Sequence, residues 1–261
     1  MRLLMILCLV LLSSCSQETE VVTGPFVFKN DITYDQNTNE PITGIVEEYY
    51  ENGQLHVRKH YKNGKRDGVH EEFHENGQLS VSGNFKHGKQ DGIFEYVQEN
   101  GQLLWRENLS NGKRDGLYEA FHHVTGQLDY KRTYKDGKIR GLQEDFHEDG
   151  QLSRRRHSID GKLDGLSEGF FENGQLSYGE NYIDGKRDGL SEAFYENGQL
   201  WFGSLYKDGE LHGLHEGFHE NGQLAISGNH KDGELHGLFE YFDKDGNLTK
   251  TVTYENGVEV E

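Results

Sequence analysis

The sequence predicts an all-β protein: an elongated antiparallel meander of about nine 24-residue β-hairpin repeats, forming a twisted single-layer ribbon. Glycine is the first indication, because 34 of the 261 residues are Gly, nearly twice the usual ~7%. Hydrophobic residues make up only 33%, too few for one thick core, whereas 14 Tyr and 14 Phe are too many for a disordered chain. Between the glycines, apolar and polar residues alternate with period two, which is typical of strands and not of helices.

Three glycine series of the same phase mark the repeats, with a spacing of 24 that becomes 25 once, where Thr125 interrupts the pattern. The first series lies in turns, mostly of the Asn-Gly type, at Gly53, Gly77, Gly101, Gly126, Gly150, Gly174, Gly198, Gly222 and Gly246. The second series is Gly64, Gly88, Gly112, Gly137, Gly161, Gly185, Gly209, Gly233 and Gly257. The third series, which starts each repeat, is Gly44, Gly68, Gly92, Gly116, Gly141, Gly165, Gly189, Gly213 and Gly237.

Each repeat contains two turn signals and therefore two predicted antiparallel strands, because Asn-Gly and Asp-Gly between alternating segments are strong hairpin signals. In the sixth repeat, Leu166, Glu168 and Phe170 are predicted to share one face of the first strand. On the return strand, Leu176 and Tyr178 are predicted to share a face. Equivalent residues of successive repeats lie two strands apart, about 9.5 Å, so they form columns across the sheet.

One column is aromatic at eight of its nine positions, with Val97 as the exception. A single sheet has no second layer to cover such a column, and large exposed apolar patches usually mark interaction sites. We therefore interpret it as a candidate binding stripe. The alternative is that sheet twist and long neighbouring side chains hide the column, which would leave a spacer. The stripe consists of Tyr49, Phe73, Phe121, Phe146, Phe170, Phe194, Phe218 and Phe242.

A second column is acidic in all nine repeats, on the face that carries the aromatic column. A carboxylate among apolar neighbours needs a hydrogen-bond donor or water. We predict a structural ladder in which each Glu accepts from turn N–H groups or from a neighbouring side chain. The alternative is a row that binds cationic ligands or Ca²⁺, although residues ~9.5 Å apart cannot share one ion. The ladder is Glu47, Glu71, Glu95, Glu119, Glu144, Glu168, Glu192, Glu216 and Glu240.

The N-terminus has the pattern of an export signal. Arg2 precedes ten apolar residues, 3–12, too few to span a bilayer but enough for a secretory signal. The Leu-Ser-Ser-Cys that ends at Cys15 resembles the bacterial lipobox, which implies lipid attachment to Cys15. Ser16 resembles an outer-membrane sorting residue, and residues 16–20 resemble acidic surface-export signals of some bacterial lipoproteins. A signal peptide without lipid, or a hydrophobic anchor, is the alternative.

The chain is thus predicted to divide into four segments. Residues 1–14 are the lipoprotein signal peptide, 15–30 a tether and 31–43 an N-terminal cap. Residues 44–261 are the repeat array, whose charged end, 255–261, is expected to cap the other edge because terminal repeats of such arrays need protection.

The repeat unit itself resembles a known family. The pattern Y-x-N-G-x-L followed by Y-x-N/D-G-K-x-D-G is similar to the MORN repeat variant of bacterial proteins, often grouped as YwqK-type antitoxin-like proteins. The likeness covers about residues 40–261. It implies an elongated antiparallel β-meander and implies little about function.

Two segments, residues 70–74 and 215–219, match the H-E-x-x-H pattern of zinc proteases. That motif requires a helix, whereas the local period here is two. Histidines four strand residues apart are separated by about 13 Å, and one zinc ion with ~2.0–2.1 Å bonds cannot reach both. We expect no metal, no cofactor and no enzymatic activity.

The net charge limits the classes of molecule that the protein is expected to bind. The net charge of −18 repels phosphate backbones, so we do not expect nucleic-acid binding. The sequence indicates a lipid-anchored protein of the bacterial cell envelope, in the outer membrane, acting as a non-catalytic interaction or scaffold module. Its partner would be a protein or a second copy, with membrane contact through the lipid on Cys15. The alternative is an antitoxin or immunity protein that neutralises a cognate toxin.

Overall fold

The computed structural model describes residues 20–260, and every regular element in that range is a β-strand. The prediction of an all-β antiparallel meander is confirmed. A small hairpin comes first, formed by β1 (Phe26–Lys29) and β2 (Ile32–Asp35). One long sheet follows and takes in all the remaining strands.

The strands of the long sheet are eight or nine residues long in most repeats, with one interruption at Asp91 that separates β7 from β8. Their bounds are β3 (Gly44–Tyr49), β4 (Leu55–Lys62), β5 (Lys65–Phe73), β6 (Leu79–Lys86), β7 (Lys89–Gln90), β8 (Gly92–Val97), β9 (Leu103–Ser110), β10 (Lys113–Phe121), β11 (Leu128–Lys135), β12 (Lys138–Phe146), β13 (Leu152–Ile159), β14 (Lys162–Phe170), β15 (Leu176–Ile183), β16 (Lys186–Phe194), β17 (Leu200–Lys207), β18 (Glu210–Phe218), β19 (Leu224–Lys231), β20 (Glu234–Phe242), β21 (Leu248–Glu255) and β22 (Val258–Val260).

Each strand pairs antiparallel with the next along the chain, from β3 with β4 to β21 with β22. Within residues 20–260, no residue pair joins β22 back to β3, so the sheet is open and has two edges. The two edges are finished differently. β22 is a short final strand of three residues, and the β3 edge is covered by the chain that precedes it.

The N-terminal cap begins earlier than predicted. Val22 N donates to Ile45 O at 2.7 Å, and Ile45 N donates to Glu20 O at 2.9 Å, so residues 20–22 satisfy the free edge of β3. β1 also falls inside the segment 15–30 that was predicted to be a tether. A short polar stretch with isolated Val and Phe residues gives no repeat signal, and the pairing depends on the exposed edge that only the folded array provides.

The two turns of each repeat have different geometries. Asp184 and Gly185 form a two-residue turn in which both residues have positive φ, 51° and 85°, and Ile183 pairs with Lys186 across it. This is the type I′ geometry that favours Asp-Gly and Asn-Gly. The other turn needs positive φ only at glycine, as at Gly174. There Asn173 acts through its side chain, whose Oδ1 accepts from Gln175 N at 2.9 Å.

A bulge beside the turn that contains Gly174 contradicts one prediction. Gly169 pairs with Tyr178 and Phe170 with Leu176, so Ser177 is an extra residue on the return strand. Directly opposed residues project to the same side of a sheet, which places Leu176 with Phe170 and Tyr178 with Gly169. The prediction that Leu176 and Tyr178 share a face was therefore wrong. Strict alternation cannot show where one residue is skipped.

The core lies on one face of the sheet, which we call the packed face. It carries a column with very different side chains from repeat to repeat, of which Phe94 and Phe239 are each 1% exposed. Their rings lie over Gly83 and Gly228, because a Cβ at either glycine would overlap the ring. The column is Val46, His70, Phe94, Tyr118, Gln143, Ser167, Ser191, His215 and Phe239. The opposite face, which carries the Glu column, is called the open face.

A pair of glycine substitutions tests this division. Gly228→Ala should lower the free energy of unfolding by about 1–3 kcal/mol, because the added methyl group displaces Phe239 from the packed face. Gly203→Ala should change it little or raise it slightly, since the nearest atom to a Cβ there is Leu200 Cδ2 at 3.9 Å. Urea denaturation of both variants beside the wild-type chain measures the difference, and equal effects would contradict the two-face description.

Candidate functional site

Several predicted residues lie outside the described part of the chain. Cys15, the signal peptide 1–14 and the first residues of the tether all precede residue 20, where the description begins. Lipid attachment at Cys15 thus stays a prediction.

The aromatic column is more covered than expected. Tyr49 is 58% exposed, whereas the other seven residues of the column are half-buried. Each residue of the column faces a leucine of the return strand at the bulged end of its hairpin, as Phe170 faces Leu176. The seven half-buried residues also have a strand of the preceding repeat beside them, which Tyr49, on the edge strand β3, lacks within the described part of the chain. The Lys131 Nζ also lies 5.8 Å from the centre of the Phe146 ring. The column remains a candidate binding stripe but is not the most accessible apolar row.

A different row of large apolar side chains is exposed on the open face, and sequence reasoning missed it as a site. Its eight members are between 39% and 59% exposed, and each directly follows a glycine of the third series. The sequence signal that could have identified the row is its place directly after these glycines. A glycine with positive φ, such as Gly165 (98°), precedes the regular part of the strand and determines on which face the next residue lies. We call these residues the leucine row: Val69, Ile93, Leu117, Leu142, Leu166, Leu190, Leu214 and Leu238.

The Glu column runs beside the leucine row on the open face, two residues further along each strand. In the N-terminal repeats, cations of the return strands interleave with it. Arg58 donates from Nε to Glu47 Oε1 at 2.8 Å and from Nη1 to Glu71 Oε2 at 3.1 Å, so one guanidinium bridges two repeats. Hydrogen bonds from Tyr49 and Arg58 lower the pKa of Glu47 below its usual value. The further pairs are Arg106–Glu119, Lys131–Glu144 and Arg155–Glu168.

The C-terminal repeats keep the Glu column but lack these cations. Within residues 20–260, no Lys, Arg or His forms an ion pair with Glu192, Glu216 or Glu240. The return-strand residues that would carry the cations are Gly179, Gly203 and Ser227. Among the described residues, the ladder is therefore paired within the chain from Glu47 to Glu168, with Glu95 as the exception, and is left as free carboxylates at Glu192, Glu216 and Glu240.

The histidines of the two H-E-x-x-H segments form hydrogen bonds within the sheet. His70 is buried on the packed face, with Nε2 3.0 Å from Glu72 Oε1, while His74 Nε2 lies 2.8 Å from Val97 O in the next repeat. In the second segment, His215 Nδ1 is 2.7 Å from Ser204 Oγ and His219 Nε2 is 3.0 Å from Phe242 O. Among residues 20–260, no group of three His, Cys, Asp or Glu side chains could hold a metal ion.

One cavity lies where the cap meets the first repeats. It has a volume of about 720 Å³ and is lined by apolar residues such as Phe26 and Ile42 together with the cations Lys65 and Arg66. The Arg66 guanidinium stacks over the Phe85 ring at 4.9 Å, and Lys59 Nζ pairs with Glu48 Oε1 at 2.6 Å. These contacts tie the lining into the packing of the cap against the sheet.

The described residues define a class: a single-sheet β-repeat protein in which the same types of side chain recur along one face of the sheet. None of residues 20–260 belongs to a helix long and apolar enough to cross a membrane. The chain belongs to the MORN repeat variant family, whose model matches residues 42–63, 66–87, 163–184, 187–208, 211–232 and 235–256, half of the chain in all. No curated protein matches the chain.

The family assignment fits the geometry. MORN repeats are generally repeats of protein or membrane interaction, compatible with a non-catalytic scaffold. The matched segments leave out residues 88–162, yet β9 to β13 pair there in the same succession as the matched repeats. The unmatched repeats therefore keep the hairpin geometry while their sequence departs from the family pattern.

The packed-face histidines give the fold a pH dependence. Burial lowers the pKa of His215, and burial together with the nearby His215 lowers that of His230. Because the unfolded chain then binds more protons, their contribution to stability is complete above a pH of about 6.5 and falls as the pH drops below it.

The double variant His215→Ser/His230→Tyr tests this effect, with the residues that Ser191 and Tyr206 provide at equivalent positions. Between about pH 7.5 and 5.5, above the range in which carboxylates titrate, the urea midpoint should fall less in the variant than in the wild-type chain. An unchanged pH profile would contradict the assignment to these two histidines.

Proposed function

We propose that this protein is a lipid-anchored scaffold of the bacterial cell envelope that binds another protein, or a second copy of itself, along its open face and carries out no catalysis. The observation that carries the proposal is the leucine row. Eight large apolar residues, each 39% or more exposed, follow one another across eight hairpins. Rows of this kind on a soluble surface mark interaction sites.

The dimensions of the row support a macromolecular partner. Eight residues at ~9.5 Å intervals extend over about 65 Å, a length that suits an extended polypeptide or a second sheet better than a small molecule. The groups beside the row recur with the same period, so no position along the described row combines the unlike groups that acid–base or nucleophilic catalysis needs. No cofactor is part of the proposal.

The proposed anchor depends on the sequence before residue 20. The lipobox-like segment ending at Cys15 follows an apolar stretch of signal-peptide length, and Ser16 resembles an outer-membrane sorting residue. A single acyl chain gives only marginal binding, so stable anchoring needs more than one chain, as bacterial lipoprotein processing supplies. We place the array at the outer membrane on this basis, with exposure at the cell surface as the further possibility that residues 16–20 suggest.

An antitoxin or immunity role is the second candidate, and one observation favours it. Glu192, Glu216 and Glu240 form no ion pair within residues 20–260, so the open face of the C-terminal repeats presents free negative charge. Such a face is complementary to a basic toxin and would accelerate its capture. Rescue of growth on co-expression with a neighbouring toxin gene would favour this role, and absence of any such gene would favour the scaffold.

The double variant Leu190→Ser/Leu214→Ser should lose partner capture without losing stability. Both side chains are more than 40% exposed, so their replacement removes contact area but little core. The matched control is Ile183→Ser, which removes an apolar side chain that is 57% exposed but lies at a turn, outside the leucine row.

Affinity capture from the protein's own envelope, read by mass spectrometry, measures the effect. Capture that survives the double variant would exclude the leucine row as the contact surface. Phe194→Ser tests the aromatic column separately, and because Phe194 is half-buried its melting temperature must be compared before any loss of capture is interpreted.

Cys15→Ala should abolish incorporation of labelled palmitate and release the chain from the membrane fraction. The reason is that Cys15 is the only cysteine that would remain after cleavage of residues 1–14. The control is Ser14→Ala, which keeps a small residue before the cysteine and should leave labelling intact. Label that persists in Cys15→Ala would refute lipidation at this residue.

A further inference from the structure

The open face contains a series of equivalent positions that hold a cation in some repeats and a glycine or a serine in others. We call them cation slots: each is the return-strand position that lies between two successive residues of the Glu column. Arg58 defines an occupied slot, because its guanidinium donates to Glu47 at 2.8 Å and to Glu71 at 3.1 Å. The other occupied slots hold Arg106, Lys131 and Arg155, and only Ser82 interrupts them.

The three slots of the C-terminal repeats hold no cation: two are glycines and the third is Ser227. Gly179 lies between Glu168 and Glu192, and a Cβ built on it would meet no atom within 4 Å. Gly203 lies between Glu192 and Glu216, where a Cβ would meet only Leu200 Cδ2, at 3.9 Å. Neither glycine has a positive φ, so the backbone does not require glycine at these positions, and the absent side chains leave open space.

Nothing on the neighbouring strands fills this space with positive charge. Across the sheet, Glu192 is opposed by Gly179 and Gly203, and the remaining partners of Glu216 and Glu240 are Ser227 and Thr251. The open-face residues beside them are leucines of the leucine row and the return-strand residues that oppose these leucines, which are Asn181, Leu205 and Asn229. The slots are therefore bounded by carboxylates on two sides and, on a third, by the exposed leucine row with two asparagines between its members.

The spacing of the slots matches one polypeptide conformation. Successive slots lie two strands apart, about 9.5 Å. A polyproline II helix has three residues per turn and rises about 3.1 Å per residue, so every third side chain projects to the same side at intervals of about 9.3 Å. In an extended β-strand, side chains alternate between two faces, and a spacing of about 9.5 Å corresponds to three residues. Every second cation of such a strand would therefore point away from the slots.

We propose that the open face over β15 to β20 docks a polyproline II segment of a partner polypeptide that carries Arg or Lys at every third position. The cations enter the slots at Gly179, Gly203 and Ser227, where they take the place that Arg58 has in the first repeats. Apolar residues at the next position of each triplet contact Leu190 and Leu214. This inference rests on the proposed interaction function and deepens it by naming the chemistry of the partner.

Fluorescence anisotropy with a defined probe tests the proposal on the purified chain. The probe is a labelled peptide of four Arg-Pro-Leu triplets, and the control is a peptide of the same composition with its four arginines in one block. The triplet peptide should bind at least about fivefold more tightly than the block peptide, and its affinity should fall with salt because the slots are accessible to solvent.

Three variants separate the slots from general attraction by charge. Gly203→Arg places a cation of the chain's own in the central slot and should weaken binding of the triplet peptide about tenfold, whereas Gly203→Ala should leave it unchanged. Glu192→Gln/Glu216→Gln leaves the backbone untouched and should weaken binding to a similar extent. This last variant decides the question if Gly203→Arg fails to fold, which its melting curve would reveal.

The proposal is overturned if the triplet and block peptides bind equally, if Gly203→Arg folds and binds like the wild-type chain, or if free spermine displaces the peptide at equal charge concentration. The last result would assign the slots to small polyamines. These outcomes do not affect the proposed scaffold function, which fails only if the leucine-row variant retains its partner in envelope capture.

Discussion

The rest of the structure depends on the backbone hydrogen bonding that holds each repeat in register with the next. The turn glycines make this visible, because Gly185 N donates to Leu163 O at 2.7 Å and Gly209 N donates to Arg187 O at 2.8 Å, each reaching the preceding repeat. Side chains strengthen the same contacts, as Asn173 Nδ2 donates to Glu196 O at 3.2 Å. A fixed register places every residue two strands from its equivalent, so any group that recurs in the sequence becomes a column in space.

Such columns favour some residues and penalise others. Polar turn residues are stabilised in such a column, because each donates a hydrogen bond to a backbone carbonyl of the next repeat. A column of carboxylates is destabilised, because like charges recur about every 9.5 Å and repel one another. In the first half of the sheet the repulsion is offset by interleaved cations, as at Arg58. In the second half it is only screened by water and salt. The C-terminal open face is thus the part of the sheet in which added positive charge lowers the free energy most.

The glycine period and the alternation between glycines were sufficient to predict the hairpins, their number and the columns. They were not sufficient for the bulge at Ser177, because an extra residue on one strand leaves no mark in a pattern that is already irregular near turns. The cap was also misplaced, since Glu20 and Val22 pair with an edge that exists only after the array has folded. For the site, the face of the Glu column was predictable, but the exposure of Leu190 relative to Phe194 was not, because exposure depends on what each residue meets across the hairpin.

Glycine has a different structural role on each of the two faces of the sheet. On the packed face, Gly228 has no side chain because Phe239 occupies the space, so glycine there is part of the core. On the open face, Gly203 has no side chain and no neighbour occupies the space, so glycine there contributes nothing to packing and loses conformational entropy on folding. Folding alone therefore does not account for Gly203 between two carboxylates, whereas it fully accounts for Gly228. The chain fills the equivalent slot with Arg58 in the first repeats and leaves it open at Gly203, and this difference is the basis of the proposed docking of a group from another molecule.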